Sequence, residues 1–217
     1  AAHRPERQGD LLTSSPARMR LAYDEFLANQ LALEIMRRQV KKKKGRALTP
    51  TGKLKDQLVA HLPYQLTGAQ LRSLAEIEQD LAAPYAMMRL LQGDVGSGKT
   101  VVALAALLTA VENGAQGAMI APTEILARQH YDSLLEMTEN LNVRIAVLTG
   151  RDKGKTRAAL LADLAAGEID ILVGTHALFQ KDVIYHDLAF VVIDEQHRFG
   201  VEQRMALSAK GRAGAAM

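Results

Sequence analysis

The chain has 217 residues, of which 48% are hydrophobic and 24% charged, the balance of a globular protein with one ordinary domain and an extension. It contains no Cys, which excludes disulfides, thiolate zinc sites and iron–sulfur ligation within it, and no apolar run nears the roughly 20 residues of a membrane span. The net charge of +3 permits a polyanionic partner without identifying one, and the opening "AAHRPERQGD" lacks the apolar middle of an export signal, so a cytoplasmic location and no membrane partner are expected.

Residues 1–15 are polar and read as a loose end. A long helix is expected from Ser15, a possible cap, with Pro16 at its first position, where no N–H is needed. Tyr23, Phe26, Leu27, Leu31 and Ile35 recur at three- and four-residue spacing, an apolar stripe that must pack on something. The helix runs into "RRQVKKKKGR", with no acid between Arg37 and Arg46. The lysines at 41–44 read either as a solvated tether or as a phosphate-binding run. "LTPTGK" interrupts the pattern before a short helical stretch from Leu54 to His61.

From Leu62 the texture changes. "QLTGAQLRSLAEIEQDL" is a predicted helix with Leu71, Leu74, Glu78 and Leu81 marking its faces. Strands are then predicted over 87–92, 117–121, 143–149, 170–175 and 188–194, with helices over 99–113, 123–139 and 153–166. Alternation of this kind, with nearly continuous Val/Ile-rich strands, calls for a parallel sheet covered on both faces. The closing "LSAKGRAGAAM" looks like a loop cut open inside a larger protein.

The chemistry gathers at two places. Gly93, Asp94, Val95, Gly96, Ser97, Gly98, Lys99 and Thr100 satisfy G-x-x-x-x-G-K-[ST] in full, between an apolar run and an amphipathic helix. Glycines let loop N–H groups turn toward phosphate oxygens at the helix N-terminus, while Lys99 reaches the β/γ-phosphates and Thr100 coordinates Mg²⁺. The bland alternative is a glycine-rich turn that happens to end in Lys-Thr. In "FVVIDEQH", Asp194 and Glu195 emerge where a buried strand ends, the edge at which ligands sit in open α/β sheets. Asp194 can hold Mg²⁺ and Glu195 can activate the attacking water, unless the pair is only a surface turn or a helix cap.

Weaker signals lie around these. Thr67 and Gln70 form a capping box, but a glutamine near the loop could also read an adenine edge. Thr123, Thr149, Gly150, Thr175 and His176 each follow a strand end and could donate hydrogen bonds to a phosphate backbone; equally, Thr123 could cap a helix and Gly150 turn a loop. His197 beside the carboxylates could be a structural partner, and no second His or Cys stands at metal-ligand spacing from it.

Taken in order, "LTGAQ", "GDVGSGKT", "APTEILARQH", "LTG", "GTHAL" and "IDEQHRFG" resemble the first motor domain of superfamily-two DNA helicases, from about Leu62 to about Lys210. "GDVGSGKT", "APTEIL" and "DEQHRFGV" are most similar to the RecG branch, ATP-dependent helicases that remodel branched DNA. The resemblance implies a RecA-like three-layer α/β/α domain over 62–217, preceded by a helical extension over 1–61 that leads from an upstream DNA-binding wedge. It implies ATP and Mg²⁺ as cofactors, Gln70 as an adenine sensor, and DNA contacts at Thr123, Thr149, Gly150 and Thr175. Gln196 and His197 become candidates for coupling the nucleotide and DNA sites. It also implies partners within one polypeptide: the wedge, and a second motor domain carrying arginine fingers, neither of which this sequence contains. Competing readings are the motor of a transcription-coupled repair translocase, a nucleotide switch, for which Glu195 is superfluous, and a small-molecule kinase, for which no lid is evident.

Overall fold

The computed structural model describes residues 15, 19–28, 30–31 and 45–195. The lysine run, Ile35, Gln196, His197 and the closing segment lie outside the described residues. The chain divides into two compact units, 1–42 and 43–217. In the first, residues 19–28 are helical, as the apolar spacing predicts, with Met19 N–H donating to the Ser15 carbonyl at 2.9 Å. Its stripe of Tyr23, Phe26, Leu27 and Leu31 is exposed.

The second unit begins ahead of the 61/62 division expected from sequence. Its first helix, α1 (Lys53–His61), contributes the fully buried Leu58 to the same core as the helices that follow. Helix α2 (Gly68–Leu81) is closed by the capping box read in the sequence, with Thr67 and Gln70 satisfying each other's backbone N–H groups. It buries Leu74, Ile77 and Leu81, while Leu71 faces out.

Helix α3 (Lys99–Glu112) is different in kind. Its Ala and Leu residues favour helix, and every residue from Val101 to Ala110 is buried, so it is a central core helix. Strands β1 (Gln116–Ile120), β2 (Ile145–Leu148), β3 (Ile171–Gly174) and β4 (Leu188–Ile193) form one sheet in the order β2-β3-β1-β4, with every pairing parallel. Helices α4 (Glu124–Thr138) and α5 (Gly154–Ala166) connect β1 to β2 and β2 to β3.

Side-chain alternation assigns the layers. Met119, Ile171, Val173 and Phe190 face the core that holds α1, α2, α3 and the buried side of α4. Ala118, Ile120, Leu172 and Val191 face the opposite core, which includes Leu164 of α5 and Leu178 of a 3₁₀ turn (His176–Phe179). The alternation shifts in β4 because Gln116 pairs with Leu188 but Gly117 pairs with Phe190, leaving Ala189 as an inserted residue. The α/β/α layering expected from the sequence is therefore present.

One predicted strand is absent. Residues 87–92 form no ladder with the sheet. Met87 points into the core, whereas Met88 and Leu90 are 59% and 67% exposed. Arg89 turns to helix α2, its Nε donating to Asp80 at 2.7 Å and its Nη1 to Glu76 at 2.6 Å. Side-chain ion pairs and one apolar edge hold this run, and its backbone does not pair with β4. A short apolar run has the same pattern in either arrangement, so periodicity could not separate them.

Candidate functional site

The loop over residues 93–98 leads into the N-terminus of α3. Gly96 and Gly98 sit at φ +79° and +77°, the left-handed region that glycine reaches without a Cβ penalty. A Cβ on Gly98 would stand 2.3 Å from Gln70 Nε2, and one on Gly93 would stand 2.7 Å from Ser97 Oγ. The loop is thus a cradle that a side chain would fill. Gly98 offers no side-chain cap, so the first N–H groups of α3 keep no capping partner, unlike those of α2 and α4. Such a helix end suits an anion.

Lys99 Nζ donates to the Gly93 and Asp94 carbonyls, each at 2.8 Å, and Ser97 N–H closes the turn on the Asp94 carbonyl at 3.2 Å. The ammonium therefore lies over the mouth of its own loop, with one of its three donors left for a phosphate oxygen. Thr100 follows it on the first turn of α3, half-buried.

Gln70 carries the capping role weighed for it and makes a second bond that the sequence did not suggest. Its Oε1 accepts from Thr67 N–H at 2.7 Å, completing the cap, while Nε2 donates to the Ser97 carbonyl at 2.9 Å. One amide thus fastens the start of α2 to the phosphate loop. Its partners here are helix cap and loop, so any reading of an adenine edge uses the lone pair and hydrogen that remain.

Asp194 and Glu195 follow β4 directly. Asp194 N–H donates to the Ile120 carbonyl at 2.8 Å, carrying the β1–β4 pairing past the end of the strand. Glu195 is exposed and sits at φ +52°, the sole non-glycine residue in the left-handed region among the described residues. That conformation costs about 1–2 kcal/mol for an L-residue, a strain characteristic of functional turns. His130, on α4, donates from Nε2 to Asp194 Oδ2 at 2.8 Å. This hydrogen bond, opposed by desolvation and reinforced by the Glu195 N–H and the charge of Lys99, holds the Asp194 carboxyl below its usual range. Asp194 is therefore an ionised acceptor, held by His130 at the end of β4.

The residues fit a Mg²⁺–nucleoside triphosphate. Glycine backbone, a bare helix end and Lys99 suit phosphates, while Thr100 and Asp194 offer the one or two oxygen ligands that Mg²⁺ takes from protein in such sites. Among the described residues no cluster of three His, Asp or Glu could hold a metal unaided.

The five other strand-end residues meet different fates. Thr123 caps α4, its Oγ1 accepting from Leu126 N–H at 3.3 Å, which leaves its own O–H free to donate. Thr149 is fully buried and gives its hydroxyl to Asp152 at 2.9 Å, so it secures the turn. Thr175 is 2% exposed and its hydroxyl finds no protein partner. Gly150 and His176 are exposed. The strand order places the ends of β2 and β3 on one side of β1 and Asp194 on the other, with about 4.8 Å between neighbouring strands. The candidate DNA residues and the carboxylates thus share an edge but occupy different stretches of it. Sequence reading missed His130; it closes "PTEILARQH", and its only signal was its place three residues after Ala127 and four before Leu134 on a helix.

The family model of DEAD/DEAH box helicases matches residues 67–212. The chain is 50% identical over 213 residues to the ATP-dependent DNA helicase RecG of Bacillus subtilis, covering 98% of this chain and 31% of that protein. It is 55% identical over 161 residues to RecG of Treponema pallidum, covering 74% of this chain and 24% of that one. The chain therefore spans under a third of the length of these relatives. A structure of RecG bound to a three-way DNA junction superimposes with a TM-score of 0.76 at 44% identity, over 85% of this chain and 25% of that one. A hypothetical ATP-dependent RNA helicase from Sulfolobus tokodaii shares the fold alone, at 18% identity and a TM-score of 0.53, over 74% of this chain and 47% of that one. With its RecA-like layering, its phosphate loop and its carboxylate pair on one edge, the chain belongs to the DEAD/DEAH box helicase family and is similar to the RecG helicases.

Proposed function

We propose that this chain is the first motor segment of an ATP-dependent DNA helicase that remodels branched DNA, such as forks and four-way junctions, in the bacterial cytosol. The observation that carries the reading is a complete G-x-x-x-x-G-K-[ST] loop entering the uncapped N-terminus of α3, together with a carboxylate pair that leaves the end of β4 with Asp194 held by His130 at 2.8 Å. Lys99 and the loop N–H groups bind and orient the triphosphate. Thr100 and Asp194 hold Mg²⁺, which when bound neutralises charge developing on the phosphates. Glu195, projecting from its strained turn, orients the attacking water and takes its proton. Similarity to a RecG whose structure contains a three-way DNA junction supports DNA as the polymer acted upon.

In this reading residues 62–217 are the ATP-binding domain, α1 packs into the same core, and the segment before it leads from a DNA-binding wedge. The remainder of a polypeptide of the relatives' length supplies that wedge and a second motor domain. Thr123, Gly150 and His176 are the exposed candidates for the DNA backbone. This chain alone is then expected to bind ATP weakly and hydrolyse it slowly, because charge stabilisation by arginines from a partner domain is worth about 10³–10⁵ in phosphoryl transfer.

The test is ATP turnover by the full-length polypeptide with and without forked DNA, alongside Lys99→Ala and Glu195→Gln. Forked DNA should stimulate turnover, Lys99→Ala should abolish it, and Glu195→Gln should retain ATP binding while losing about 10²–10⁴ in rate. Failure of forks to stimulate would remove the motor reading. Normal hydrolysis by Lys99→Ala would overturn the site.

A further inference from the structure

His130 belongs to neither the phosphate loop nor the carboxylate pair, yet it makes the side-chain hydrogen bond that fixes Asp194. Its ring is 16% exposed and the Asp194 side chain 27%, so the contact is largely screened from water. Ala127 and Leu134, three residues before and four after, are fully buried, which puts His130 on the face that α4 turns to the sheet. Its position is therefore set by core packing. On the other side, the Asp194 backbone is locked by the bond to the Ile120 carbonyl. What remains free in Asp194 is its side-chain torsion, and the bond from His130 Nε2 to Oδ2, beside the Glu195 N–H on the same carboxyl, limits that freedom. An ionised carboxylate only accepts, so Nε2 carries the hydrogen.

We propose that His130 is a positioning residue for Asp194: it binds Oδ2, leaves the carboxylate's remaining lone pairs to serve the cation, and ties helix α4 to the nucleotide site. The inference rests on the reading of Asp194 as a Mg²⁺-holding group. It also gives the helix a mechanical role. Thr123 caps α4 seven residues before His130, about 10 Å along the axis at 1.5 Å per residue. The strand end beside the candidate DNA residues is thereby joined to the metal-holding carboxylate by one rigid element. A displacement of α4 moves the donor that orients Asp194.

The experiment uses the full-length polypeptide with three substitutions. His130→Gln retains a neutral N–H donor at similar reach, His130→Leu retains bulk without a donor, and Asp194→Asn alters the acceptor. Binding of a fluorescent ATP analogue is titrated against Mg²⁺, Mn²⁺ binding is followed by electron paramagnetic resonance, and thermal unfolding is recorded for each variant. His130→Leu should raise the apparent Mg²⁺ requirement at least tenfold, the usual consequence of losing a hydrogen bond behind a ligand, with unfolding little changed. His130→Gln should recover most of that loss. In turnover assays His130→Leu should also lose more of the fork-stimulated rate than of the basal rate.

If Asp194→Asn leaves the Mg²⁺ dependence unaltered, the reading of the site itself fails. If Asp194→Asn abolishes it while His130→Leu matches wild type, the positioning role alone is overturned. Equal impairment of His130→Gln and His130→Leu, with lowered unfolding temperature in both, would make His130 a packing residue and likewise overturn the proposal.

Discussion

At the scale of single residues, Gln70 has two bonds that substitution can separate. Glutamate at this position still accepts from Thr67 N–H, since Glu serves a capping box as well as Gln, but it cannot donate to the Ser97 carbonyl. Gln70→Glu should therefore unfold near the wild-type temperature while binding ATP less well. Gln70→Ala should lose both, including about 1 kcal/mol of helix stabilisation. Thermal unfolding and nucleotide titration of the pair check this; equal stability in both variants would mean the cap contributes nothing. The capping box was legible because its two members are three residues apart in the chain. The tie to Ser97 was not, because it joins residues 27 positions apart and needs the loop already folded.

At the scale of elements, α3 is held at both ends. Its start is the phosphate loop; its last residue, Glu112, accepts from Thr51 N–H and Oγ1, at 3.0 and 2.7 Å, from Gly52 N–H at 3.1 Å, and from Leu54 N–H. Burial pushes this carboxyl up, but the Thr51 hydroxyl and the three backbone donors together hold it below the reference value of 4.5. A depressed folded pKa contributes stability that is complete above the unfolded value and is lost as pH falls through the folded one. Glu112→Gln should thus be destabilised by about 1–3 kcal/mol at pH 7. Its deficit relative to wild type should shrink as pH drops below about 4.5. Urea unfolding at a series of pH values measures it, and a deficit that grows toward acid would contradict the sign. Packing across the sheet yields a second expectation. A Cβ on Gly174 would stand 2.2 Å from the Leu148 carbonyl oxygen, a backbone atom that cannot step aside. Gly174→Ala should cost about 1–3 kcal/mol by overpacking, read as a lower urea midpoint.

At the scale of the whole molecule, turnover by this chain alone should lie orders of magnitude below that of the full-length polypeptide under saturating ATP and forked DNA. Comparable rates would show that these residues hold a complete catalytic centre. The sequence by itself determined most of the architecture here: four parallel strands and the helices between them follow from periodicity, because burial on one or both faces writes itself into residue order. It also marked out the candidate phosphate loop and carboxylate pair, because the chemistry proposed for them requires particular residue types at contiguous positions. Only the tertiary structure decided the status of 87–92, where Arg89 is drawn to Glu76 and Asp80 and the backbone stays out of the sheet. It decided as well that Thr149 and Thr175 are buried, and that His130 meets Asp194 from 64 residues away. The physical reason is common to these cases. A hydrogen bond or ion pair between distant side chains leaves no periodic trace, since it depends on where packed elements bring two atoms and not on the spacing of residues along the chain.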